Sequence, residues 1–160
     1  MNRFAVAAAA VCMLPAVAFA QEEMKVTMND APPAALAAAK AVAESYGVKL
    51  TEAGLDYDDA QATYEFAGKM DSGKMLEIDV LADGKIVEVE HEIGMDEVPE
   101  AVKQALSKHM PDFSPKMIEK SVHGTFEVYY EFEGEMDGGE IDVEISASGK
   151  RVIIQDDSVA

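Results

Sequence analysis

One ten-residue pattern occurs twice in the chain, and this duplication limits the possible folds more than any other feature. Residues 64–73 read YEFAGKMDSG and residues 130–139 read YEFEGEMDGG. The same offset in numbering aligns Pro33 with Pro99. A self-similar stretch of this length indicates a duplicated structural unit, so the architecture is predicted as two copies of one building block.

Each copy begins with a predicted helix. Alanine favours helices and Gly47 is well suited to ending one, so a helix is predicted over residues 32–46. A second helix is predicted from about residue 96 to residue 110. Pro99 fits a first helical turn there, and Pro111 cannot continue the helix.

The rest of each copy alternates between apolar and polar residues, which is typical of half-buried strands. Leu76, Ile78 and Val80 share one side of such a strand, and Glu77 and Asp79 share the other. Residues 126–133 and 141–145 alternate likewise, and turns rich in Asp, Ser and Gly separate the strands. We therefore predict an α+β fold with two tandem repeats, each one helix packed on a four-stranded antiparallel sheet.

The first twenty residues have the features of an export signal. A short positive start with Arg3 precedes an apolar run, and Ala18-Phe19-Ala20 fits the small-x-small cleavage pattern. We predict cleavage after Ala20 and a periplasmic or secreted product that does not insert into the membrane. The predicted organisation is a signal peptide at 1–20, an N-terminal extension at 21–30, and repeats at 31–93 and 94–157.

Composition excludes several classes of function. The chain has 31 Asp and Glu against 13 Lys and Arg, a net charge of −18, so a nucleic-acid partner is not expected. The single cysteine, Cys12, lies in the predicted signal peptide, which excludes cysteine catalysis and a cysteine-rich metal site. No sequence motif of a hydrolase, phosphate loop or dinucleotide fold is present. We expect neither an enzyme nor a cofactor.

The polar side of the predicted strands is the candidate binding surface. A basic protein or peptide in the cell envelope is the expected partner, because dense negative charge attracts cations over a distance. The alternative is a solvated face that only maintains solubility. Glu65, Glu88 and Glu90 share this polar side. The candidate binding residues are Glu77, Asp79, Glu127, Tyr129, Glu131, Glu133, Asp142 and Glu144.

A cation-binding protein is the alternative function. His91 lies four positions before Met95, and His109 adjoins Met110, which are donors that suit copper. Aspartates such as Asp71 offer oxygens for calcium, but no closed calcium loop is present. A third alternative is a hydrolase that carries no recognisable motif. Such an enzyme would require histidine and carboxylate side chains to lie together in the folded protein.

Several short segments resemble a PepSY-type domain. These are the sequence VPEAV at 98–102, MPDF at 110–113, the repeated YEF strands, and DGK at 83–85 after an apolar strand. PepSY-like repeats are related in shape to the tandem β-lactamase inhibitory proteins, and the resemblance covers roughly residues 31–157. It implies a non-catalytic exported module that binds or inhibits other proteins, often peptidases. It implies no catalytic residue.

Overall fold

The computed structural model describes residues 24–58 and 61–156, and the predicted signal peptide lies outside this part of the chain. These residues form strands and helices in the following order. They are β1 (Met24–Lys25), α1 (Pro33–Ser45), β2 (Lys49–Asp58), β3 (Gln61–Lys69), β4 (Met75–Leu81), β5 (Ile86–Glu92), a short 3₁₀ helix (Met95–Glu97), α2 (Glu100–His109), β6 (Met117–His123), β7 (Val128–Met136), β8 (Gly139–Ser146) and β9 (Val152–Asp156).

The nine strands of the described residues form one antiparallel sheet in which spatial order follows chain order. Tight turns join β3 to β4, β4 to β5, β7 to β8 and β8 to β9. Gly73, Gly84, Gly138 and Gly149 have positive φ in these turns, a conformation that favours glycine. The predicted glycine turns are therefore confirmed.

The prediction of two repeats, each with its own four-stranded sheet, is wrong. β5 pairs with β6 over five residues, from Glu88 opposite His123 to Glu92 opposite Glu119, so the strands form one continuous sheet. Two separate sheets would each have exposed an edge strand with unpaired backbone N–H and C=O groups. In the continuous sheet, these groups of β5 and β6 form hydrogen bonds with each other. The predicted boundary between Ile93 and Gly94 falls between β5 and α2, and the division into two repeats at this point stays a prediction.

Helix α1 packs through its alanines. Ala35, Ala39 and Ala43 lie one turn apart and are buried against Phe66 and Ile78 of the sheet. Because alanine has the smallest side chain that still favours helix, the helix approaches the sheet closely. This arrangement fills the core beside β3 and β4.

Helix α2 covers the same face of the sheet near β8. Val102 and Leu106 are buried in a second core cluster with Phe132 and Val143. His109, which the helical spacing places on the same side, is exposed at the end of the helix. Both helices thus cover one face of the sheet, and neither is long and apolar enough to cross a bilayer.

Candidate functional site

The face of the sheet opposite the helices is lined mainly by carboxylates. Strand alternation places Phe132 and Val143 in the core, so their neighbours point to the other side. We call this side the acidic face. It comprises Glu65, Glu77, Asp79, Glu88, Glu90, Glu119, Glu131, Glu133, Asp142 and Glu144.

The strand register brings like charges directly opposite each other. Asp79 pairs with Glu88, and Glu77 pairs with Glu90. Glu131 lies between Glu119 on one neighbouring strand and Glu144 on the other. Such pairs destabilise a sheet, so the folded protein carries an electrostatic cost on this face.

Burial and repulsion raise the pKa values of several of these carboxyls. The pKa of Asp79 is raised to about 7, first by burial and then by the charges of Glu65 and Glu88. The pKa of Glu119 is also raised to about 7, by burial and then by Glu133 and Glu92. Both effects disfavour the charged form, so these groups titrate near neutral pH.

Glu90 and Glu131 lie close together near the centre of the face and interact with each other. Burial, followed by the charges of Glu131 and Glu88, raises the pKa of Glu90 well above its usual range. Burial and then Glu88 raise the pKa of Glu131 to about 7, although a hydrogen bond with Glu90 opposes this. The arrangement fits a protonated Glu90 that donates to an ionised Glu131.

Ser121 and His123 of β6 lie next to this pair. Ser121 is completely buried, and its hydroxyl donates a hydrogen bond to Oε1 of Glu88. Nε2 of His123 lies 3.0 Å from the same Oε1. The angle is not that of a hydrogen bond, so this buried nitrogen has no hydrogen-bond partner among the described residues.

Tyr129 lies on the acidic face but is only 4% exposed. The ring of His123 packs edge-on against it, with 4.9 Å between ring centroids. Arg151 also covers it, since Nη1 donates to the phenol oxygen at 3.0 Å and the guanidinium lies 5.8 Å from the ring centroid. The phenol is therefore enclosed by side chains rather than presented to solvent.

The acidic face continues into a shallow groove at one end of β7 and β8. The groove has a volume of about 300 Å³ and is lined by Lys116, Glu133, Glu135, Glu140 and Asp142, among others. Lys116 pairs with Glu135 at 2.6 Å, but both side chains are well exposed. Carboxylates therefore dominate the groove.

Comparison with known proteins gives the fold but no family. No protein-family model matches the chain, and no curated protein matches it. Several solved structures match. A BLIP-like protein from Bacteroides fragilis has a TM-score of 0.57 and 16% identity over 82% of this chain and 92% of its own. The fold is BLIP-like.

Two further solved structures are also similar to this chain. A DUF2874 family protein from Bacteroides uniformis has a TM-score of 0.61 and 17% identity over 79% of this chain and 89% of its own. A protein of Bacteroides eggerthii, provisionally described as periplasmic, has a TM-score of 0.62 and 17% identity, with 79% and 88% coverage. The predicted likeness in shape to β-lactamase inhibitory proteins is confirmed, and PepSY membership stays a prediction.

In this BLIP-like fold, most of the predicted binding residues lie together. Glu131 and Glu133 of β7 pair with Glu144 and Asp142 of β8, and Glu77 and Asp79 share their face on β4. Glu127 is exposed in the loop before β7, apart from the carboxylates of the strands.

Sequence analysis missed Glu119, Ser121 and His123. They alternate along β6 with Ile118 and Val122, and this weak period-two pattern is the signal that places them on the polar side. Their partners on β5 could not be identified from it, because the pairing joins residues far apart in sequence.

The histidines proposed as copper ligands do not converge. His91 lies on the helix side of β5 against Tyr46, with 5.4 Å between ring centroids, and its pKa is lowered by burial and then by Lys120. His109 is at the exposed end of α2. His123, paired with Glu88, lies on the opposite face from His91.

Proposed function

We propose that this protein is an exported, non-catalytic module that binds a basic protein or peptide of the cell envelope through its acidic face. The observation that carries the proposal is that every strand from β4 to β8 contributes at least one carboxylate to the side that neither helix covers. Glu131, Glu133, Asp142 and Glu144 form its densest part.

The electrostatics of the face support a cationic partner. Burial, and then repulsion among the carboxylates, raises the pKa of Asp79, Glu119 and Glu131. Lysine or arginine side chains brought close to them would offset this repulsion and favour the ionised forms. Binding would then release protons and be strongest at low salt, with a larger effect on the association rate than on the final affinity.

The envelope location has separate support. The predicted signal peptide directs export, and a structural neighbour is described as periplasmic. Binding or inhibition of a peptidase is what the resemblance and the BLIP-like fold suggest, but fold alone does not establish function. The acidic face supplies the independent physical reason to expect a protein partner.

The test compares two variants that remove the same charge from different places. One is Glu133→Gln with Asp142→Asn and Glu144→Gln, on the acidic face. The control is Glu44→Gln with Glu100→Gln and Asp112→Asn, which are exposed outside the acidic face. Each variant and the unchanged protein are immobilised and exposed to a cell-envelope extract, and the bound proteins are quantified.

The proposal requires that at least one basic protein is captured by the unchanged protein and by the control variant, but lost from the acidic-face variant. Equal capture by all three forms would show that the acidic face serves only solubility. Equal loss from both variants would mean that overall charge, rather than this surface, attracts the bound proteins.

A further inference from the structure

Three side chains of different strands converge near the middle of the acidic face. They are Glu88 of β5, His123 of β6 and Glu131 of β7. One oxygen or nitrogen donor from each lies within 4.8 Å of the other two. Two carboxylates and one imidazole form a mixed oxygen and nitrogen donor set.

We propose that Glu88, His123 and Glu131 bind one divalent transition-metal ion of the zinc class. Imidazole nitrogen and carboxylate oxygen are both good ligands for such ions, and three protein ligands leave a fourth position for water or a partner's side chain. The donors differ from the histidines and methionines that the sequence suggested for copper.

The separation of the donors suits a shared ion. Zinc bonds to nitrogen and oxygen are about 2.0 Å long, so two ligands in a tetrahedral site lie about 3.3 Å apart. Nε2 of His123 and Oε1 of Glu88 are 3.0 Å apart. The donor oxygen of Glu131 lies within 4.8 Å of both, and a glutamate side chain has three rotatable bonds with which to approach a shared ion.

The buried nitrogen of His123 gives a second, independent reason. The Nε2 atom is buried, although the His123 side chain as a whole is 35% exposed, and it makes no hydrogen bond among the described residues. Its neighbour, Oε1 of Glu88, is 3.0 Å away at an angle unsuited to a hydrogen bond, and a metal ion between the two atoms would satisfy both. The ring is already held edge-on by Tyr129, so little reorganisation is needed.

The surroundings of the three ligands also fit a cation. The hydroxyl of Ser121 donates to Glu88, as outer-shell groups around metal ligands commonly do. Glu144 and Glu119 add negative charge beside Glu131, and a divalent cation would offset their repulsion. Calcium fits less well, because it takes six to eight oxygen ligands.

A second group, Glu65, Glu77 and Asp79, also has its oxygens within 4.8 Å of one another. It contains carboxylates alone, and no further observation points to an ion there. Acidic clusters of this kind are common without a metal, so we assign it no site.

The experiment is calorimetric titration of the purified protein with ZnCl₂ at neutral pH. The variants are His123→Gln and Glu88→Gln, and the matched control is His109→Gln, which removes an exposed histidine. We expect one zinc ion per chain, with affinity reduced at least about tenfold in the two variants and unchanged in the control. Zinc should raise the melting temperature of the control but not of His123→Gln.

A second measurement uses the unaltered protein, in case a variant does not fold. The imidazole resonances of the three histidines are followed by NMR during the zinc titration, and the variants His109→Gln and His91→Gln identify the other two, which leaves His123. Saturable changes at His123 support the site. Zinc that leaves His123 unperturbed, or that binds equally well to the folded His123→Gln variant, overturns it.

The metal site and the proposed partner binding can fail separately. Loss of zinc binding through His123→Gln leaves Glu133, Asp142 and Glu144 intact, whereas the partner test alters those three residues and none of the metal ligands. A protein that binds zinc but captures no basic partner would refute only the proposed function.

Discussion

Glu88 and His123 lie directly opposite each other in β5 and β6, with Oε1 and Nε2 3.0 Å apart. These two strands join the segment that contains α1 to the segment that contains α2. The same pairing that makes the sheet continuous therefore creates the centre of the acidic face. Stability and the candidate site depend on one set of backbone hydrogen bonds.

We predict that damage to the core beneath β7 lowers the stability of the whole sheet. Phe132 is completely buried, so Phe132→Ala should reduce the free energy of unfolding by about 3–5 kcal/mol. Urea denaturation measures the loss, and hydrogen exchange shows whether the amides of β4 lose protection as well.

The control for this prediction is Phe126→Ala. Phe126 is 89% exposed in the turn before β7, so the change should alter the free energy of unfolding by less than about 0.5 kcal/mol. Two separate unfolding transitions in Phe132→Ala, with β4 still protected, would contradict a cooperative single sheet.

Stability should fall as pH rises towards 8. The pKa values of Asp79, Glu119 and Glu131 are about 7 in the folded protein, above their unfolded values. Between about pH 4 and pH 7 the folded state therefore binds more protons than the unfolded state. We expect the free energy of unfolding to be about 2 kcal/mol larger at pH 5 than at pH 8, after allowance for solvent screening.

Thermal unfolding at pH 5, 6, 7 and 8 in one buffer series measures this dependence. His91 has a lowered pKa and acts in the opposite sense within this pH range, but it is one group against three. Asp30 and Glu97 also have lowered pKa values, and their contribution is lost only as the pH falls through those lowered values. A melting temperature that rises from pH 5 to pH 8 would contradict the repulsion inferred for the acidic face.

Neutralising one carboxyl should remove part of this pH dependence. Asp79→Asn keeps the shape of the side chain and removes its charge, so it should stabilise the protein by about 1–2 kcal/mol at pH 8 and hardly at all at pH 5. Chemical denaturation at the two pH values measures the difference.

Asp112→Asn is the matched control, because Asp112 is exposed in the turn after α2. It should change stability by less than about 0.5 kcal/mol at either pH. Destabilisation by Asp79→Asn at pH 8 would mean that the ionised carboxylate makes a favourable contact instead.

Local sequence patterns predicted the helices, the turns and the faces of the strands. Alternation assigned Phe132 and Val143 to the core and Glu131 and Asp142 to the other side, and the burial of these residues agrees. This success has a simple cause, since the period of two is a property of each strand alone.

The order of the strands could not be predicted in the same way. Nothing in the side chains of β5 or β6 distinguishes an edge strand from a central one, and their pairing brings Glu88 and His123 together across a long stretch of chain. The burial of Tyr129 was missed because it depends on side chains from elsewhere in the sheet, His123 of the neighbouring strand β6 and Arg151, which precedes β9. Long-range contacts of this kind leave no periodic signal.

The most direct test of the account is the association rate of a captured basic partner, measured from about 50 to about 300 mM NaCl. For the unchanged protein and for the Glu44, Glu100 and Asp112 control, the rate should fall about tenfold or more across this range. For the variant altered at Glu133, Asp142 and Glu144, it should begin lower and depend much less on salt. Identical rates and salt dependence in all three proteins would contradict docking on the acidic face.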